Sequence, residues 1–430
     1  MSTDATTAAV TTRPSYREFR YGWGVVLAAA LGIGLGMSPL PFYTVGVFVG
    51  PLAAEFGWSV EQIMVGMPIL TLGALVMAPL AGFIADRFGV RRVALTSVVL
   101  FSLSMMMFAL GTGSLALFYC NWFLVAFLGA GTLPITWTRA VNRWFFERRG
   151  LALGCTLVAT GFFGSNAKLF ASWLIDSVGW RAAYVGIGLL PLLITFPVAW
   201  LLFRDVDDPK VAAKVAELRA GGHPDAAARP GGMTIGGALR DWRFWLLAYA
   251  FIPVSFAVGG PIPNLESLLG SKGFERGDAV VLASLIGYAV IVGRLLGGWA
   301  IDKFWAPAVA AVSLSLPAIA CVVLQQPEPA FVTAALCIAM LGLAAGVEYD
   351  LMAFLVSRYF GMAHYATIYG SLYGFFAVGA GLGPLYFGRV FGRTGSYDAA
   401  LALSALLFLA GALPLLLLGR YRTFTSPDRA

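Results

Sequence analysis

The chain has 430 residues, 59% of them hydrophobic and 12% charged, with a mean hydropathy of +0.81 and a formal net charge of +7. A water-soluble domain is about half apolar and a quarter charged, so this composition excludes one and makes lipid the solvent. The positive charge does not imply nucleic acid, because the basic residues flank apolar runs, as membrane insertion requires.

Residues 1–21 are polar and carry Arg13, Arg17 and Arg20. No short apolar core with a small-residue cleavage site precedes the first long apolar run, so no removable signal peptide is expected. Crossing a hydrocarbon core of ~30 Å takes about 20 residues of helix. Runs of that kind fall near 22–49, 60–85, 92–111, 115–142, 150–175, 182–203, 243–269, 278–301, 305–324, 329–356, 364–388 and 398–419. The expected organisation is a tail (1–21), a six-helix bundle (22–203), a polar linker (204–241) with a short surface helix near 209–219, a second six-helix bundle (242–420) and a tail (421–430). Twelve spans place both tails on one side. Of the 29 Lys and Arg, that side takes 21, and the other takes five: Arg181, Lys272, Arg276, Arg389 and Arg393. The asymmetry predicts cytoplasmic tails and linker in an inner membrane.

The two halves repeat each other. Gly82-Phe-Ile-Ala-Asp86-Arg87-Phe88 matches Gly298-Trp-Ala-Ile-Asp302-Lys303-Phe304, Arg143-Trp-Phe matches Arg358-Tyr-Phe, and Gly154 matches Gly370, at offsets of 215 or 216. A half-chain repeat in a membrane protein predicts alternating access about a central site.

The segment from Gly82 through Arg87 to Arg92, between the second and third spans, resembles the loop motif of the major facilitator superfamily. That resemblance implies an all-α membrane fold of two pseudo-symmetric six-helix bundles. It also implies that Asp86 and Arg143, with Arg87 in the same motif, act at the helix ends: Asp86 and Arg143 pair with neighbouring helix ends and stabilise the outward-open state, and Arg358 does the same in the second half, opposite Asp302. Gly22-Trp23-Gly24, the Arg143–Gly154 segment, Arg294 in the eighth span and Tyr369-Gly-Ser-Leu-Tyr373 in the eleventh resemble the monocarboxylate porters and oxalate–formate antiporters. In those families an arginine at the place of Arg294 contacts the substrate carboxylate. The chain departs from them in having Tyr43 in place of a first-span lysine, Val290 in place of an eighth-span aspartate and Ala380 in place of an eleventh-span lysine. Oxalate, a dianion that wants two cations, is therefore not the expected substrate, and the usual coupling aspartate is missing.

A charge inside a span costs at least ~2.5–3.5 kcal/mol and needs a partner or a wet cavity, which singles out the candidates. Arg294 offers a planar fork for a carboxylate; the alternative is an ion pair with Glu348 or Asp350. Glu348 and Asp350 lie two residues apart on one helix, so at most one faces a central cavity. A carboxylate held out of water suits a proton carrier, and the rival expectation is a bridge to Arg139 that links the halves as a gate. Lys168 is a second substrate-attracting cation or a helix-bound lysine. Tyr43, Trp137, Tyr288, Tyr369 and Tyr373 are aromatic candidates for substrate contact, Tyr43 first among them. His364 is expected to be interfacial.

The four cysteines have no CxxC spacing and read as small buried hydrophobes. No metal-site spacing, phosphate loop or catalytic constellation is present, so neither a cofactor nor an enzyme is expected. The function expected is secondary transport of a small organic, monocarboxylate-like anion by a monomer, through proton symport or exchange. The alternatives are export of a neutral or amphipathic compound and a transporter-like sensor.

Overall fold

The computed structural model describes residues 17–145, 149–204, 211, 213, 232–361, 364–422 and 424. Eleven of its helical segments are long and apolar enough to cross a membrane. The helix Arg149–Val178 takes the place of the fifth span and has 30 residues; Ser165, Asn166 and Lys168 interrupt its apolar character. With it the order of twelve spans is complete. The surface carries an apolar belt, including Leu110, Trp173, Leu201, Leu295, Val332 and Leu417, each more than half exposed, as lipid contact requires.

Several spans are broken where the sequence suggested single helices. The first, Glu18–Phe56, consists of Arg17–Gly34 and Pro39–Phe56. The fourth divides into Leu115–Gly129 and Pro134–Trp144, and the seventh into Trp242–Gly259 and Pro261–Ser271. In each case a proline opens the second piece, because its missing N–H and fixed φ suit a helix start and not a helix interior. Backbone groups freed at membrane depth must be satisfied within the protein. Met37 N–H donates to Thr132 Oγ1 at 2.9 Å, and Asn264 Nδ2 donates to Gly260 O at 2.9 Å and Pro384 O at 3.2 Å.

Each bundle has its own packed interior. At one end, Trp144 Nε1 donates to Arg204 O, Met233 N–H to Phe360 O, and the Tyr359 hydroxyl to Gly419 O. This is the linker end; the short helix Ile235–Arg240 leads from it into the seventh span. At the other, far end, matching joints close the two bundles with inverted charge. Glu55 meets Arg181 at 2.7 Å in the first bundle, and Lys272 meets Asp398 at 2.6 Å in the second.

The bundles meet along two long seams and, at the far end, where the outer pieces of the first and seventh spans touch. The fifth span (Arg149–Val178) lies on the eighth (Arg276–Lys303), and the second (Val60–Met64 and Gly66–Phe88) lies on the eleventh (Tyr365–Thr394). The seams are tight from the middle to the far end and part toward the linker end. On the fifth span, Ser165 Oγ donates to Ser284 O, and a Cβ at Gly161 would strike Gly287 O; seven residues nearer the linker end, on the same face, Gly154 meets nothing. On the eleventh, Gly388 abuts Glu61, Gly381 abuts Thr71, a Cβ at Gly374 would meet Leu75 at 3.5 Å, and Gly370 meets nothing. The molecule is closed at the far end and splayed at the linker end.

Two symmetry-related ion pairs rim the far end. Asp176 is 2.9 Å from Arg276, and Glu61 is 3.7 Å from Arg389; the first bundle supplies both acids. These side chains are roughly half exposed, and such pairs contribute about 0–1 kcal/mol each. Asp176→Asn is therefore expected to leave stability within about 1 kcal/mol of the parent, as read by SDS-unfolding titration.

Candidate functional site

Arg294 sits nine residues from the Lys303 end of the eighth span, about 14 Å inward at ~1.5 Å per residue. The tenth span (Phe331–Phe360) crosses beside it closely enough that Gly346 lies against the backbone of Val290 and Arg294. One turn on from Gly346, Asp350 Oδ1 accepts from Arg294 Nη1 at 3.0 Å, with side-chain exposures of 32% and 11%. Of the two acids weighed from the sequence, Asp350 is thus the partner. Glu348 points the other way, is buried in the second bundle, and its Oε1 has no hydrogen-bond partner. Arg294 Nε is likewise buried and has no hydrogen-bond partner, so the guanidinium is not used up by Asp350.

An aromatic wall from the tenth and eleventh spans adjoins this pair. Tyr349 packs on Phe376 with centroids 4.6 Å apart, Tyr373 stacks on Phe376 at 5.7 Å, and Tyr365 stacks on Tyr369 at 5.7 Å. The rings of Tyr349 and Tyr373 lie 6.3 Å apart. The Arg294 charge reaches the phenols of Tyr43, Tyr349 and Tyr369. Tyr43, on the outer piece of the first span, is buried with its ring against Gly164 of the fifth. Arg294, Asp350, Tyr43, Tyr369 and Tyr373 therefore come together, joined by Tyr349, which the sequence reading did not single out.

The remaining candidates lie apart from this cluster in the conformation described. Trp137 is fully buried in the first bundle, under Gly32 and 4.6 Å from the Phe203 ring, so it is a core residue there. Tyr288 lies on the outward stripe of the eighth span with Val281, Val292 and Leu295 and faces away from the cluster. Lys168 is neither open to a cavity nor bound to helix carbonyls; it is fully buried and lies 2.6 Å from Glu266 of the seventh span. Asp350, one of the two acids the sequence offered to Arg139 as a gate, pairs with Arg294 of its own bundle. Arg139 itself is half-buried on the fourth span. Cross-bundle ion pairs stand in the far half.

At the linker end, Arg87 is exposed and lies over Phe88, Asp302 is exposed, and Arg358 lies over Phe354 and Tyr421 at 5.0 and 5.6 Å. The side chains of Asp86 and Arg143 lie outside the described residues, as does the surface helix expected near 209–219, apart from residues 211 and 213. His364 is exposed ahead of the eleventh span. Cys321 and Cys337 are buried, as expected of small hydrophobes, whereas Cys120 and Cys155 are exposed.

Arg294 and Asp350 form a neutral pair that a solute carboxylate can enter, because the guanidinium has nitrogen donors to spare and stands beside hydroxyl-bearing rings. Known proteins of similar sequence are transporters. The chain is 27% identical over 343 residues to the MFS-type transporter YhjX of Escherichia coli, covering 79% of this chain and 81% of that one. It is 25% identical over 393 residues to a protein described as a probable sulfoacetate transporter, SauU, of Cupriavidus necator, covering 87% and 89%. It is 25% identical over 417 residues to monocarboxylate transporter 13 of Bos taurus, covering 95% and 91%. The family model of the major facilitator superfamily matches residues 31–384, and the chain is a membrane transporter that belongs to that superfamily.

Proposed function

We propose that this chain carries a small organic monocarboxylate across an inner membrane by alternating access, with Arg294 as the group that grips the carboxylate. The observation that carries this reading is the Arg294–Asp350 pair: a half-satisfied guanidinium, sheltered from lipid, beside a tyrosine wall in the splayed half of the molecule. Asp350 holds the arginine when no solute is bound and yields it when a carboxylate arrives. The excess of Lys and Arg at the linker end puts that end in the cytoplasm, so the conformation described is the cytoplasm-facing one. The relatives named for sulfoacetate and monocarboxylates support an organic anion as cargo.

Counterflow in proteoliposomes tests this. Vesicles loaded with benzoate or pyruvate should accumulate the labelled anion from outside, and external benzoate should compete while benzamide, its uncharged counterpart, does not. Equal competition by benzamide would overturn the reading.

A further inference from the structure

One ion pair between the bundles differs from those at the rim. Lys168 Nζ lies 2.6 Å from Glu266 Oε1, with side-chain exposures of 0% and 10%. The lysine belongs to the first bundle and the glutamate to the second. Any motion that opens the far end must pull them apart, whereas Arg294 and Asp350 belong to one bundle and move as one body. The pair is closely walled. Gly46 of the first span lies against the Glu266 carboxylate, which a Cβ there would strike, and Ser165, one turn below Lys168, is tied to Ser284 of the eighth span. Tyr397, in the connection ahead of the twelfth span, also lies within electrostatic reach of Glu266. On the side toward the linker end, the Tyr43 ring rests on Gly164 and lies within reach of Arg294.

Two opposite charges at this depth cannot be separated bare, since each would be left buried and uncompensated. Each needs a replacement as the far end opens: a carboxylate satisfies Lys168, and a proton neutralises Glu266. We propose that Lys168 and Glu266 form the coupling site of this transporter, where one proton and one carboxylate together replace the ion pair. This rests on the anion-carrier reading. Opening of the far end adds a proton to the Glu266 carboxylate and a solute anion to Lys168, with no net change in charge. Closure re-forms the pair, returns the proton to water at the linker end and passes the anion by way of Tyr43 to Arg294. No covalent bond to the solute forms or breaks.

Spin labels at Thr112→Cys and Glu328→Cys, on far-end loops of the two bundles and in a chain whose four native cysteines are replaced by alanine, report far-end opening as a distance. With benzoate or pyruvate present, the ratio of open to closed molecules is expected to rise as pH falls from 8 to 5.5, by up to about tenfold per pH unit for one proton taken up. Glu266→Gln should be open at both pH values and unresponsive to pH. Glu266→Asp should keep the response, and Lys168→Met should abolish the effect of the anions. A full pH response in Glu266→Gln, or none in the parent chain, overturns the proposal. Opening that follows pH through Glu266 but ignores both anions overturns the carboxylate half together with the anion-carrier reading. Opening that follows the anions but not pH overturns the coupling and leaves that reading intact.

Discussion

Arg294→Ala is expected to lower uptake of benzoate or pyruvate about a hundredfold. A guanidinium holds a carboxylate through two charge-assisted hydrogen bonds, each contributing about 1.5 kcal/mol or more, and ~3 kcal/mol corresponds to a factor of about 10². The substitution also strands Asp350, which is two-thirds buried and has Arg294 as its ion-pair partner. A stability defect could therefore mimic a binding defect. The double variant Arg294→Ala/Asp350→Ala separates the two, because it removes both charges and restores neutrality. It should recover detergent stability but not uptake. Arg294→Lys should sit between the parent and the alanine variant, since a lysine keeps the charge and loses the fork. Uptake by the alanine variant at the parent rate would remove Arg294 as anchor.

Gly287→Val should abolish transport by a different route, leaving the site intact but preventing closure of the far end. A Cβ at position 287 would run into Gly161 O and Ser165 Oγ across the seam between the fifth and eighth spans. Both bundles have separate interiors, so the chain should fold and elute normally while the seam is wedged apart. Overpacking of this kind costs about 1–3 kcal/mol. Falling on one conformation alone, it shifts the balance between far-end-closed and far-end-open forms by roughly 5- to 150-fold. Gly154→Val provides the contrast. It lies on the same face of the fifth span where the seam has already parted, and nothing stands near it here. That variant should tolerate the conformation described and resist closing the linker end. Thiol accessibility at the two ends should show the variants trapped in opposite states. Trapping in the same state would contradict the rocking geometry.

The scaffold was legible in the sequence because lipid imposes a simple rule, about twenty apolar residues per span, and because the repeated Gly-x-x-x-Asp segments announce duplication. Arg294, Lys168, Glu348 and Asp350 stood out for the same reason, as charges where lipid penalises them. Which way a side chain faces was much harder to read. The outer piece of the first span and the eighth span are apolar nearly all round, so nothing in their periodicity told the lipid-facing Tyr288 from the inward-facing Tyr43. Glu266 was overlooked because it lies three residues from the expected end of the seventh run, where an acid passes for interfacial. The structure shows that run continuing to Ser271. The glycines at 32, 34 and 36 and the prolines at 39 and 41 together mark the break in the first span.

The breaks in the first and seventh spans divide the far-end pieces, Pro39–Phe56 and Pro261–Ser271, from the shafts below them. A piece joined to its shaft by a few unwound residues can swing while the shaft stays still. The mouth at either end can then shut before the other unlocks, and an occluded intermediate with solute sealed inside becomes geometrically accessible. Such an intermediate is what keeps a carrier from becoming a leak, since at no point in the cycle must a continuous water column join the two faces of an energised membrane.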